Sequence, residues 1–228
     1  MTAVILCSSL GAPAAMWDPQ LPVLAGRTVL RVDHPGHGGA PLADIHDVAD
    51  LARRVLEAAG DERFSFVGLS LGGAVGMRLA LDAPERLERL VLASTAARFG
   101  EAEQWLERAA TVRGYGLGAI VDAVLGRWFT PSFQGVDLYR ELFLNTDPEG
   151  YARCCEALSR FDGGDALGAV GVPTLAIAAT DDPTIPPDVV AAVAGSIPNA
   201  QFEVIANAAH LVNVERPDEF NRLLEDFL

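Results

Sequence analysis

Phe64-Ser65-Phe66-Val67-Gly68-Leu69-Ser70-Leu71-Gly72-Gly73 is the stretch on which the fold turns. Its first half, 64–68, is an apolar run that reads as a buried strand. The small and apolar residues over 71–82, ending near Pro84, read as a helix. Between them, Gly68-Leu69-Ser70-Leu71-Gly72 fits G-x-S-x-G, a tight turn that lifts a serine hydroxyl clear of the sheet edge. Glycines at both ends let Ser70 take strained backbone geometry without a clash. The helix N-terminus beneath it favours developing negative charge. Ser70 is therefore the candidate nucleophile, and a plain glycine-rich turn is the bland alternative.

Further strands and helices extend from this turn in both directions. Upstream, residues 3–7 and 28–33 read as strands, the second stopping at His34-Pro35-Gly36-His37-Gly38. Residues 47–59 place Val48, Leu51, Ala52, Val55 and Leu56 on one helical side. Downstream, Leu90 to Ala93 is a strand, Pro173 to Ala178 another and Phe202 to Ile205 the last. A closing helix follows over 217–228, with Phe220, Leu223, Leu224 and Phe227 facing inward. Strand and helix alternate, which predicts an α/β fold with a mostly parallel sheet and helices on both faces. The rhythm breaks over residues 101–161, where only helical patterns occur: Trp105, Leu106 and Ala109 form one apolar stripe, and Ile120, Val121, Val124 and Leu125 another. The expected organisation is a core of residues 1–96 and 168–228 with a helical cap over 97–167. Such a cap would lie above the carboxyl ends of the strands, where α/β sheets bind ligands.

Composition narrows the partners. The 228 residues are long enough for one substantial core. With 17 basic and 31 acidic side chains the formal net charge is -14, which disfavours nucleic acid and anionic membranes as partners. An anionic substrate would need a local positive site. Cys7, Cys154 and Cys155 show no metal-ligand spacing and suggest a reducing, cytoplasmic setting. Val4-Ile5-Leu6-Cys7 reads as a buried strand rather than as the apolar stretch of a signal peptide. No cofactor and no metal are expected, and the oligomeric state is left open.

A serine nucleophile needs a base, and the base an orienting acid. In a fold built on this turn the order is serine, then acid, then histidine late in the chain. Of four histidines only His210, in Ala208-Ala209-His210-Leu211, meets that order. His34 and His37 read as turn residues bracing or lining the pocket, and His46 as helix-start chemistry. The acid belongs in Thr180-Asp181-Asp182-Pro183-Thr184, where two aspartates compete. Asp182, directly before the proline turn, is favoured over Asp181. Asp122, Asp137 and Asp162 fall in the cap and read as solvated charges. The oxyanion hole needs two backbone donors. Leu71 N–H follows the nucleophile, and Leu10 N–H, in Ser8-Ser9-Leu10-Gly11, is the expected second.

With these residues in hand, the chain resembles the 3-oxoadipate enol-lactonases of the α/β-hydrolase superfamily. Besides the Gly68–Gly73 motif, similarity lies in Ser9-Leu10-Gly11 with Met16-Trp17-Asp18-Pro19-Gln20, and in the cap stretches Arg127-Trp128-Phe129-Thr130-Pro131 and Gly150-Tyr151-Ala152-Arg153-Cys154-Cys155. It continues in the acid loop from Thr180 to Pro187, and in Ala208 to Leu211 with Asn213-Val214-Glu215. Three departures stand out. The strand pair that usually opens the family reads as shortened, since this sequence starts almost at the strand before the oxyanion loop. Pro35 stands where an arginine is common, and Ala179 where a glycine is usual.

The resemblance implies a carboxylic ester hydrolase acting through Ser70, His210 and Asp182. Its substrate would be 3-oxoadipate enol-lactone, a small anionic lactone of aromatic-compound breakdown. Arg127 is the candidate anchor for the substrate carboxylate, with Trp128 and Ser9 as further contacts; Arg108, Arg113 and His34 are its rivals. Trp105 and Trp128 read as packing residues, with a pocket wall as the alternative. Another small ester or lactone, or carbon–carbon bond hydrolysis, would suit the same triad. A non-catalytic ligand receptor on this fold would show a damaged triad, and a haloalkane dehalogenase would carry aspartate in place of Ser70.

Overall fold

The computed structural model describes residues 3–228. Six strands form one sheet: β1 Ala3–Cys7, β2 Val29–Val32, β3 Phe64–Leu69, β4 Leu87–Ala93, β5 Thr174–Ala179 and β6 Gln201–Ile205. Their order is β2-β1-β3-β4-β5-β6, and every described neighbour pair is parallel. Every residue of β3 and β5 is buried, as expected for strands covered on both faces. The helices are α1 Val48–Ala59, α2 Leu71–Asp82, α3 Ala102–Tyr115, α4 Val121–Trp128, α5 Val136–Leu144, α6 Pro148–Ser159, α7 Pro187–Ser196, α8 Val212–Glu215 and α9 Pro217–Phe227.

Local chemistry fixes these elements. Asp47 caps α1: its carboxylate accepts the Asp50 N–H while Asp50 returns the contact, a reciprocal capping box. Asp147 caps α6 through the Glu149 and Gly150 N–H groups. Helix α2 lies close on the sheet because Gly76 carries no side chain. A Cβ there would stand 2.9 Å from the Phe66 ring and 3.0 Å from Leu90. The amphipathic faces of α1 and α9 bury Val48, Leu51, Ala52 and Val55, and Phe220, Leu224 and Phe227.

The chain leaves β1 towards β2 on one side and returns to β3 on the other, so the strand order reverses between β1 and β3. Such a switch point opens a crevice at the carboxyl ends of the two strands. Helices α3 to α6 fill the interval between β4 and β5. The two stalks of this insertion meet where Arg98 and Asp162 form an antiparallel bridge and Gly163 N–H donates to the Ala97 carbonyl at 2.9 Å.

Several expectations are corrected. Leu106 is 45% exposed, so the α3 stripe runs through Ala109 and Val112 with a half-buried Trp105. Strand β4 begins at Leu87, three residues early; Glu88 and Arg89, on its less buried start, interrupt the apolar pattern there. Leu223 packs at the edge of the core rather than inside it. Helix α7, rich in Val and Ala, has no counterpart in the expected elements.

Candidate active site

Ser70 sits between β3 and α2 at φ 59° and ψ -113°, a left-handed conformation rare for a side chain with a Cβ. Surrounding bonds hold it there. Its N–H donates to the Ala93 carbonyl at 2.9 Å, and its carbonyl accepts from Ala74 N–H at 3.0 Å and the Thr95 hydroxyl at 2.8 Å. The flanking glycines serve close approach. A Cβ on Gly68 would fall 2.1 Å from the Gly72 carbonyl oxygen, and one on Gly72 2.1 Å from the Cys7 carbonyl oxygen. The strain therefore rests on Ser70 itself, and the glycines let strand and helix meet at so sharp a turn.

That contact also sets the neighbouring loop. Gly72 N–H donates to the Ser8 carbonyl at 3.1 Å, and His34 Nε2 lies 2.8 Å from the same oxygen. With Ser8 fixed, Leu10 enters the crevice beside Ser70. The Leu71 N–H opens α2 and has no place in the helical ladder. The Leu10 N–H has no backbone acceptor among the described residues. Both are free to donate to an oxyanion.

His210 follows β6 in the loop that leads into α8. Its Nδ1 lies 2.7 Å from Asp182 Oδ2, and both side chains are buried. The other Asp182 oxygen accepts the N–H groups of Thr184 at 2.8 Å and Ile185 at 3.0 Å. The carboxylate is thus fixed at one end by its own turn and aimed at the imidazole with the other. Asp181 is exposed and uses its backbone N–H on the Ala208 carbonyl at 2.9 Å. Ser70 and His210 open onto one cavity of about 40 Å³.

The cap supplies most of the cavity's upper wall. Trp105 and Arg108 come from α3, Val124, Arg127 and Trp128 from α4, and Tyr151 from α6. Trp128 is both buried packing and pocket wall: its ring meets Phe143 edge-on at 5.6 Å. Ser9 lies on the core side with Leu10. The Arg108 guanidinium stacks over Trp105 at 4.7 Å. Burial, reinforced by the Arg108 charge, holds the Arg127 guanidinium below its ordinary pKa. Burial pushes the Tyr151 phenol up.

The remaining candidates fall elsewhere. Arg113 is engaged with Glu149 and Glu156 on the surface. His34 and His37 are buried behind the crevice; His37 Nδ1 lies 3.1 Å from the Pro35 carbonyl. Their turn is held without an arginine at position 35, because Asp147 N–H donates to the Gly36 carbonyl at 2.7 Å. His46 is exposed, and its N–H meets Asp50 before α1. Asp122, Asp137 and Asp162 are exposed. The three cysteines are free and buried. Among the described residues no His, Cys, Asp or Glu cluster could hold a metal ion, and no helix is long and apolar enough to cross a membrane.

Glu215 had no role in the sequence reading beyond its place in a motif. Its carboxylate accepts from Thr130 N–H at 3.0 Å, the Thr130 hydroxyl, and Ala209 N–H at 2.9 Å. It ties the end of the cap's α4 to the loop carrying His210. Phe99 and Thr184 complete the cavity wall.

A strained serine elbow, a buried Asp–His pair and a cap over a parallel sheet define a hydrolase of the alpha/beta type. The chain belongs to the alpha/beta hydrolase family, which it matches over residues 4–223. It is 34% identical to 3-oxoadipate enol-lactonase 2 of Acinetobacter baylyi, over 98% of this chain and 87% of that protein. It is 35% identical to the putative carbamate hydrolase RutD of Variovorax paradoxus, over 99% and 91%. The crystal structure of the enol-lactonase from Burkholderia xenovorans LB400 superposes with a TM-score of 0.95 at 36% identity, covering 99% of this chain and 90% of that one. These relatives support an ester or lactone hydrolase.

Proposed function

We propose that this protein hydrolyses 3-oxoadipate enol-lactone to 3-oxoadipate through an acyl-enzyme on Ser70. The observation that carries the reading is the shared cavity: Ser70 and the Asp182-paired His210 face Arg127 across a space lined by no carboxylate. His210 takes the Ser70 proton as the hydroxyl attacks the lactone carbonyl. The Leu10 and Leu71 N–H groups hold the oxyanion. Collapse expels the ring oxygen, which takes the proton back from His210 and leaves as an enol still attached to the acyl chain; the enol then tautomerises to the ketone. Water, deprotonated by His210, then attacks the ester carbonyl, and Ser70 leaves with the proton returned. Asp182 keeps the imidazole in the required tautomer and stabilises its cationic form. Arg127 binds the free carboxylate, with Trp128 and Ser9 beside the ring. The core and the 97–167 cap would then contribute the triad and the specificity respectively.

The second reading is hydrolysis of another small ester, lactone or carbamate, which the RutD relative favours. The test is loss of ultraviolet absorbance from freshly generated enol-lactone, set against hydrolysis of uncharged aryl esters and carbamates. Catalytic efficiency at least a hundredfold higher on the enol-lactone is expected. A preference for the uncharged compounds would reject the assignment.

A further inference from the structure

Arg127 is not alone in the cavity. Arg108, one helix away on α3, lines the same space. The chain carries 31 acidic side chains against 17 basic ones. Several arginines elsewhere pair with carboxylates: Arg31 with Asp18, Arg113 with Glu149 and Glu156, Arg140 with Asp122, Arg153 with Asp44 and Glu149. Arg108 and Arg127 pair with no carboxylate among the described residues, and no Asp or Glu lines their cavity.

Two guanidiniums sharing a partly desolvated space repel each other, and here that repulsion is felt at Arg127. A fold gains nothing from such a pair in isolation. It becomes favourable when an anion lies between the two charges, since each planar fork can donate two hydrogen bonds to carboxylate oxygens. The surroundings keep the pair available for that. Arg108 is steadied by the Trp105 ring and by a hydrogen bond to the Tyr151 phenol rather than by a counter-charge. The Arg127 backbone carbonyl accepts the His210 N–H at 3.3 Å, which fixes that residue relative to the base.

We infer that Arg108 and Arg127 form one two-arginine seat for a single carboxylate of the substrate, and that this seat selects small carboxylate-bearing esters and lactones over uncharged ones. The inference rests on the hydrolase reading and adds Arg108 as a specificity residue. It also gives the product a hold on the enzyme: a short dicarboxylate satisfies the seat at one end and faces Ser70 with the other. Adipate is therefore a ligand of the resting protein.

The test uses the full chain with Ser70→Ala, adipate as the probe and its uncharged diamide as the control. Calorimetric titration should show adipate binding, tenfold or more weaker after either Arg108→Met or Arg127→Met, while the diamide binds poorly and equally to all three. Adipate should raise the melting temperature of the parent and not that of either arginine variant. On the active enzyme, Arg108→Met should lower kcat/KM at least tenfold more for the anionic lactone than for an uncharged aryl ester. Unchanged adipate affinity in Arg108→Met would overturn the shared seat, and so would an absence of adipate binding to the parent. Equal losses for charged and uncharged substrates would assign Arg108 to packing on Trp105. A protein that binds adipate through both arginines but leaves the enol-lactone intact would keep the seat and reject only the reaction proposed above.

Discussion

The backbone N–H of His210 donates to the backbone carbonyl of Arg127 at 3.3 Å, so the residue proposed as base and the residue proposed as anchor share a hydrogen bond. The next pair repeats it: Leu211 N–H meets the Trp128 carbonyl at 3.0 Å. These carbonyls come from the last turn of α4, where the helix leaves its final acceptors unused. The histidine loop satisfies them. The cap is thus hydrogen-bonded to the loop of the proposed base, and a shift of α4 would move His210.

Glu215 completes this strap, and its removal is the first prediction. Glu215→Ala deprives Thr130 N–H, the Thr130 hydroxyl and Ala209 N–H of their acceptor. A loss of about 2 kcal/mol in stability is expected, within the range for bonds to a charged acceptor that water only partly replaces. Turnover should fall tenfold or more, because His210 and Arg127 lose their common frame. Urea unfolding and steady-state kinetics check both. Unchanged kcat with lowered stability would confine Glu215 to folding.

The nucleophile is tested by Ser70→Ala. The backbone bonds that hold the elbow, to Ala93, Ala74 and Thr95, involve no side-chain atom of Ser70. Folding and melting temperature should therefore change little, while turnover drops by orders of magnitude. Near wild-type turnover would remove Ser70 from the mechanism.

The adjacent aspartates should separate cleanly. In Asp182→Asn one amide oxygen can still accept from Thr184 and Ile185, but the NH2 group then faces His210 Nδ1. That arrangement favours the wrong imidazole tautomer, and a fall of about a thousandfold or more in kcat is expected. Asp181 is exposed and contributes only a backbone N–H, so Asp181→Asn should retain activity within about twofold. Parallel kcat measurements decide it, and equal losses would contradict the geometry.

Much of this was legible in the chain because strong local signals agree. The β3–Ser70–α2 unit combines a buried apolar run, glycines and a helix of small residues, and the serine–acid–histidine order then narrows the rest. Other features have no local signature. The pair Asp181-Asp182 alone does not say which side chain turns inward; the proline turn after it favours Asp182, and only the folded loop shows that carboxylate against His210. Strand β4 reads as shorter than it is because Glu88 and Arg89 interrupt its apolar pattern. Leu106 fits the spacing of the α3 stripe and is nonetheless exposed, because helical spacing gives a stripe without saying where it ends. Arg108 looks like any solvated cap arginine until the cap folds and brings α3 and α4 to one cavity. Glu215 and Thr130 are 85 residues apart, and no spacing rule connects them.

The last prediction concerns acid stability. His34 and His37 are fully buried behind the crevice, their rings 5.6 Å apart. Burial pushes the His34 imidazole down to about 4, partly offset by its bond to the Ser8 carbonyl. Burial and the neighbouring His34 push His37 down to about 3. In the unfolded chain both would titrate near the ordinary histidine value of 6.5. Between those values the unfolded state binds protons that the folded state refuses, so folding stability falls as pH drops. Their contribution is fully present above about 6.5 and is lost progressively towards 4 for His34 and 3 for His37. Nearby Asp33, whose pKa burial raises, acts in the opposite sense: the folded state takes up its proton more readily, which favours folding in acid. Each histidine ring should therefore cost on the order of 2 kcal/mol between pH 7 and pH 5, from the 1.36 kcal/mol carried by each pKa unit. Urea unfolding at the two pH values in wild type and in His34→Gln measures this. Glutamine can still donate to the Ser8 carbonyl but takes up no proton, so the variant should lose clearly less stability on acidification than the wild type. An identical pH dependence in both would mean that His34 is not the group being titrated.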